Sequence, residues 1–221
     1  MKTTLITLLC VIHFNLLFAQ DAKSYETEIY KSRTAQFKSE GLPQNSIVFF
    51  GNSLTQGGQW DKYFPDQHPV NRGIIGDNTE GALARLSEII EAAPVKLFIL
   101  TGVNDISQDH KNDYICKNIN EIIRQVKEKS PETIIYVQSL LPINNTFGRY
   151  KRLINKEKQI EKLNKQLAKL CKKEKIKFIN LYPLFLQTKH VLNPIYTTDG
   201  LHLNEAGYEI WVNRIRELVE K

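Results

Sequence analysis

The chain has 221 residues, 42% of them hydrophobic and 24% charged, and a formal net charge of +6. This is ordinary globular composition, enough for one domain with a sizeable core. Three cysteines are too few for a zinc site of the multi-cysteine kind.

Residues 1–20 differ from the rest. Lys2 is the only early charge, an apolar stretch runs from Leu5 to Ala19, and "FAQDAKS" then turns polar. A basic start, a short apolar core and a small residue before a polar segment predict a secretory signal peptide cut near Ala19 or Gln20. The stretch is too short and too interrupted by His13 and Asn15 for a membrane span. Cys10 follows bulky Leu9, which argues against lipid attachment. The expected mature chain, 21–221, is one domain, secreted or periplasmic, with no stable insertion into the membrane.

Ala22 to Glu40 is polar with spaced tyrosines and reads as a leading helix or arm. From Asn45 onward, strands and helices alternate. "SIVFFG", the weaker "HPVNRGII", "VKLFILTG", "ETIIYVQSLL" and "KIKFINLY" are short apolar runs of the kind buried on both faces of a sheet. Between them, Asn78 to Glu91 carries Leu83, Leu86, Ile89 and Ile90 on one side. Asn112 to Lys129 carries Ile115, Ile119, Ile122, Ile123 and Val126 in the same way. A lysine-rich helix between Lys151 and Lys177 has apolar Ile154, Ile160, Leu163, Leu167 and Leu170 at three- and four-residue spacing, hence a solvated basic face. No stacking aromatics are interleaved, so nucleic acid is not an expected partner; weak attraction to acidic glycans or anionic lipid is. Asn204 to Val219 closes the chain, with Asn204 as its cap.

Strand–helix alternation implies an α/β fold, a parallel sheet with helices on both faces. Cys116, near the start of one helix, and Cys171, near the end of the next, are then expected at opposite ends of a layer as two free, mostly buried thiols. Sites in open parallel sheets form outside the carboxyl ends of the strands. The turns to search begin near Gly51, Ile75, Gly102, Leu141 and Tyr182.

The first turn, "FFGNSLTQGG", places Ser53 at a helix start, where free N–H groups and the helix dipole favour developing negative charge. A serine that merely caps that helix is the plain alternative. The second turn, "GIIGDNTEG", offers Gly76, whose missing Cβ lets backbone N–H approach an oxygen closely, or simply a tight turn capped by Asp77 or Asn78. The third, "LTGVNDIS", offers the Asn104 amide, or an ordinary Asn/Asp turn. The last, "YTTDGLHLNEAGY", sets Asp199 and His202 with two residues between them, so the carboxylate can reach the imidazole Nδ1–H, fix its tautomer and stabilise the imidazolium. His13, His68, His110 and His190 lack such a companion.

"GNSLT", the glycine of "IIGD", "GVND" and "DGLH" together resemble the four ordered blocks of the SGNH hydrolases, also called the GDSL esterase/lipase family. They span Gly51 to His202. The resemblance implies a three-layer, flavodoxin-like fold with a five-stranded parallel sheet in the order 2-1-3-4-5. It implies Ser53 as nucleophile, His202 as general base and Asp199 as its orienting acid. The oxyanion hole would be the N–H groups of Ser53 and Gly76 with the Asn104 side chain. No metal or cofactor is implied. One position departs: Asn52 stands where the family block has aspartate, which removes a carboxylate beside Ser53 and alters the local support.

Other folds fit less well. An α/β-hydrolase elbow wants Gly-x-Ser-x-Gly, and the fifth position here is Thr55. The first turn also lacks a phosphate-cradling glycine pattern. "VNRGIIGDNTEGALARL" is similar to members resembling platelet-activating-factor acetylhydrolases and sugar O-acetylesterases. With export, that favours removal of a small acyl group, acetyl first among them, from a glycan such as an acetylated sialic acid or polysaccharide. A lysophospholipase, a short-chain lipid esterase and a non-catalytic carbohydrate-binding protein on the same fold stay open. Trp60, Tyr63, Arg149 and Tyr196 are the candidate substrate contacts, with core or rim packing as the plain alternative; Phe64, Phe147 and Tyr150 flank them.

Overall fold

The computed structural model describes residues 23–221. The predicted leader, with Cys10, lies outside the described residues. Five parallel strands form the centre: β1 (Ile47–Gly51), β2 (Val70–Gly73), β3 (Lys96–Leu100), β4 (Ile134–Gln138) and β5 (Lys177–Ile179), in the order β2-β1-β3-β4-β5. Gly51 stands level with Gly73 on one side and Leu100 on the other, so the first three turns leave the sheet together.

The helices are α1 (Glu28–Glu40), α2 (Ser53–Gln56), α3 (Trp60–Tyr63), α4 (Thr79–Ala84), α5 (Leu86–Ala92), α6 (Val103–Ser107), α7 (Asn112–Lys129), α8 (Glu157–Lys173) and α9 (Glu205–Glu220). Alternate strand residues point to opposite faces. Val48, Phe50, Leu97, Ile99, Ile135 and Val137 meet the apolar stripes of α5, α7 and α8. Ile47, Phe49, Phe98 and Tyr136 meet Trp60, Phe64 and the Trp211–Ile215 face of α9. Both faces are covered, which is why the strands are apolar throughout. Among the described residues, no helix is long and apolar enough to cross a membrane.

Several expectations need correction. The helix predicted over 78–91 is two, α4 and α5, divided at Arg85. Its guanidinium turns inward, bonding Asp77 at 2.8 and 2.9 Å and the carbonyls of Arg72 and Gly51 at 2.9 and 3.0 Å. A charged side chain with that many buried partners outranks helical continuity. Ile154, expected on the stripe of the lysine-rich helix, is 47% exposed and precedes it. Asn155 is in the left-handed region (φ 62°), which ends the preceding 3-10 turn, Lys151–Leu153, before α8 begins. A small antiparallel pair, β6 (Leu186–Thr188) and β7 (Val191–Leu192), was not foreseen. Cys116 and Cys171 are free. Burial pushes the Cys171 thiol up to about 12. Cys116 is partly exposed rather than buried.

Candidate active site

Ser53 opens α2, so the helix itself makes no use of its backbone N–H. Asn52 caps α2 by accepting from Leu54 N–H at 3.0 Å. Its side chain is fully buried, and its Nδ2 finds no partner among the described residues. Asn71 braces the turn from β2, its amide facing the carbonyls of Thr55, Gln56 and Gly58 at 3.0–3.2 Å. Gln56 Oε1 accepts from Ile75 N–H at 2.8 Å and so ties the first turn to the second.

In the second turn Gly76 has φ +79°, a left-handed conformation that side chains resist, and open space where a Cβ would stand. Its N–H donates to no protein acceptor among the described residues. Asn104, in the first turn of α6, donates one amide hydrogen to the Asp77 carbonyl at 2.7 Å. Its second hydrogen is left for the cavity. Asp105, fully buried, accepts from Thr79 N–H at 3.0 Å and from the Thr79 hydroxyl. That locks the third turn onto the start of α4. Burial raises the Asp105 carboxyl, and the Thr79 bonds oppose the rise. Burial raises Asp77 too, to about 6, against the pull of Arg85.

The last loop supplies the imidazole. His202 Nε2 lies 2.9 Å from Ser53 Oγ, and His202 Nδ1 lies 2.8 Å from Asp199 Oδ2. The carboxylate can only accept, so Nδ1 carries hydrogen and Nε2 is free to accept from the serine. Asp199 Oδ1 accepts from the N–H groups of Leu201 (2.9 Å) and His202 (2.8 Å). Burial works against the charged carboxylate, but the bonds from His202, Tyr150 and these N–H groups hold it well below the usual range. Asp199 therefore stays ionised.

Ser53, Gly76, Asn104 and His202 line one open cavity of about 440 Å³. Its apolar wall is Ile75, Leu153 and Leu201; its other wall is Arg149, Tyr150, Lys151 and Arg152. A larger cavity, about 560 Å³, lies between α1 and α5 and contains none of these groups. Of the predicted substrate contacts, only Arg149 reaches the Ser53 cavity. Trp60 is 2% exposed, stacks on Phe49 at 3.9 Å and donates to Thr55 O at 3.0 Å; it is core. Tyr63 lines a separate hollow beside Lys62 and Glu205. Tyr196 packs edge-on against Phe185. All three are near Ser53 or His202 in sequence, but their large apolar rings are drawn to the α9 side of the sheet.

Tyr150 is a site residue that sequence reasoning passed over as a flanking aromatic. Its hydroxyl is 2.7 Å from Asp199 Oδ2 and 2.9 Å from His202 Nδ1. Nothing in "FGRYKRL" signals this, because the contact depends on how the segment after β4 folds back.

A doubly covered sheet of this order, with a hydroxyl–imidazole–carboxylate chain facing a set of free donors, defines a carboxylic ester hydrolase. The chain belongs to the GDSL-like lipase/acylhydrolase family, whose model matches residues 49–210. It is 28% identical to human platelet-activating factor acetylhydrolase IB subunit alpha1 over 169 residues, 73% of this chain and 70% of that one. It is 30% identical over 193 residues to an Escherichia coli N-acylneuraminate cytidylyltransferase. That match covers 86% of this chain, but the chain spans only 44% of the relative's length. A GDSL-like lipase structure from Bacteroides thetaiotaomicron superposes with TM-score 0.74 at 27% identity, covering 86% of this chain and 97% of that one.

Proposed function

We propose that the protein is an exported serine esterase that removes short acyl groups, acetyl first among them, from an O-acylated acidic sugar such as a sialic acid. The observation that carries the catalytic part is the unbroken hydrogen-bond chain from Ser53 Oγ through His202 to Asp199.

His202 Nε2 takes the proton of Ser53 as Oγ bonds to the acyl carbon. The carbonyl π pair moves to oxygen, which is met by the N–H groups of Ser53 and Gly76 and the free hydrogen of the Asn104 amide. Collapse of this intermediate breaks the bond to the sugar oxygen, which takes the proton from His202. Water repeats the sequence, and the carboxylic acid leaves. Asp199 stabilises the imidazolium each time.

The substrate reading rests on the cavity walls. Ile75, Leu153 and Leu201 offer apolar contact for a short acyl chain. Arg149, Lys151 and Arg152 face the same cavity and form no ion pair among the described residues. Three unpaired cations suit a substrate that brings its own negative charge. A relative named for N-acylneuraminate, a carboxylated sugar, supports that choice; its cytidylyl transfer is not carried over. The acetylhydrolase relatives support acetyl as the group removed. They also support a second reading, a short-chain lipid ester. Export is inferred from the leader's sequence alone.

The test is acetate release from O-acetylated sialic acid, an acetylated neutral xylo-oligosaccharide and a short-chain acetylated phospholipid. The sialic acid is expected to give the highest kcat/KM. A phospholipid turned over fastest would install the second reading, and a preference for the neutral sugar would remove the acidic one.

A further inference from the structure

The segment that follows β4 does more than wall the cavity. It is pinned onto the Asp199–His202 loop at two separate places. Asn144 N–H donates to Gly200 O at 2.8 Å, and the backbones pass so closely that a Cβ on Gly200 would lie 2.3 Å from the Asn144 carbonyl oxygen. The second pin is Tyr150. Between them, Gly148 in the left-handed region (φ 69°) reverses the chain so that the phenol points back at the relay.

The phenol oxygen, Asp199 Oδ2 and His202 Nδ1 form a triangle with sides of 2.7, 2.8 and 2.9 Å. Two hydrogens serve these three atoms. Oδ2 can only accept, so the phenol donates to it, and the Nδ1 hydrogen is shared between Oδ2 and the phenol oxygen. The two rings meet edge-on, with centroids 5.7 Å apart. Tyr150 also lines the substrate cavity whereas Asp199 does not, so the ring stands between the carboxylate and incoming solvent.

We propose that Tyr150 is a positioning residue of the proton relay: its O–H fixes the rotation of the Asp199 carboxylate and draws charge from it, setting how strongly His202 holds its proton. This rests on the reading of Ser53 and His202 as nucleophile and base. Burial, and then the bond to Asp199, push the phenol up to about 12, so it remains a donor across the working range. The other charged groups beside the imidazole are Arg149, Lys151 and Arg152 on the same wall of the cavity. Glu205, at the start of α9, is already paired with Lys62 at 2.7 Å. The phenol is therefore an uncharged side-chain donor acting directly on Oδ2, the carboxylate oxygen that faces the imidazole.

Tyr150→Phe keeps the ring and removes the donor. Asp199 is then left with fuller charge and holds the imidazolium more tightly. With neutral p-nitrophenyl acetate, kcat is expected to fall about tenfold with KM within about twofold, and the acid limb of kcat/KM to move up by at least about 0.5 pH unit. A purely structural tyrosine would leave the limb in place. Where the variant does not fold, 3-fluorotyrosine incorporated into the wild-type chain gives a second readout. That phenol is a stronger donor, and the limb is expected to move down. An unmoved limb in either experiment overturns the proposal. Ser53→Ala separates the two readings: lost turnover there with an unmoved Tyr150→Phe profile removes only Tyr150, whereas turnover retained without Ser53 removes the relay on which it depends.

Discussion

The two halves of the cavity are built in different ways. The donor half, formed by the turns after β1, β2 and β3, sits on buried polar anchors, Arg85 against Asp77 and Asp105 against Thr79, with half-buried Asn71 beneath α2. The relay half consists of the Asp199–His202 loop and the segment laid across it from Asn144 to Leu153. Its outer side is exposed and cationic. The contrast follows from chemistry. Donors to an oxyanion act by being fixed before charge develops, so rigidity is their contribution. A general base must move a proton, and its wall must also admit the ester and release the leaving group.

If the donor half acts by preorganisation, Asn104→Ala should lower kcat by about 10²–10³, with the fold intact by circular dichroism. An unchanged kcat would take Asn104 out of that half. Trp60 tests where the cavity wall ends and the core begins. As a core residue, Trp60→Ala should cost about 3–5 kcal/mol in denaturant unfolding, while KM of the folded enzyme stays put. A raised KM with intact stability would return Trp60 to the substrate.

Removing the three rim cations together, Arg149, Lys151 and Arg152 to alanine, should raise KM for an acidic sugar ester about tenfold and leave kcat and the neutral ester unaffected. Added salt should have the same effect on the wild type, and little on the variant. The smallest effect concerns stability. Asp199 is held below its unfolded value, so its contribution is present above about pH 4 and is lost as pH falls through the folded value. The stability advantage of wild type over Asp199→Asn should therefore shrink as pH drops from about 5 towards 2. A constant difference would mean that the carboxylate's charge is not what the loop uses.

Much of the donor half was legible in the sequence, because its residues follow apolar strands directly and a parallel sheet brings those ends together. Strand order pointed to the turns that hold Ser53, Gly76 and Asn104, and the resemblance of the ordered blocks singled these residues out within them. His202 and Asp199 were legible through their spacing. What escaped depended on side chains that leave their own element. Arg85 divides a helix whose periodicity is continuous, because its partners come from β1, β2 and the turn after β2. Trp60 looked like a rim aromatic from its place in the chain, yet the face of the sheet it meets is already lined with rings. Tyr150 lies in a segment without periodicity, and its partners are about 50 residues downstream, so only the folded path reveals the contact.

The most direct test of the central claim is turnover of p-nitrophenyl acetate by wild type and Ser53→Ala, purified in parallel and shown to be folded. Wild type should hydrolyse it, and the variant should fall at least about 10⁴-fold, to near the uncatalysed rate. Comparable turnover in both would contradict the account, since the hydroxyl placed 2.9 Å from His202 would then have no part in the chemistry.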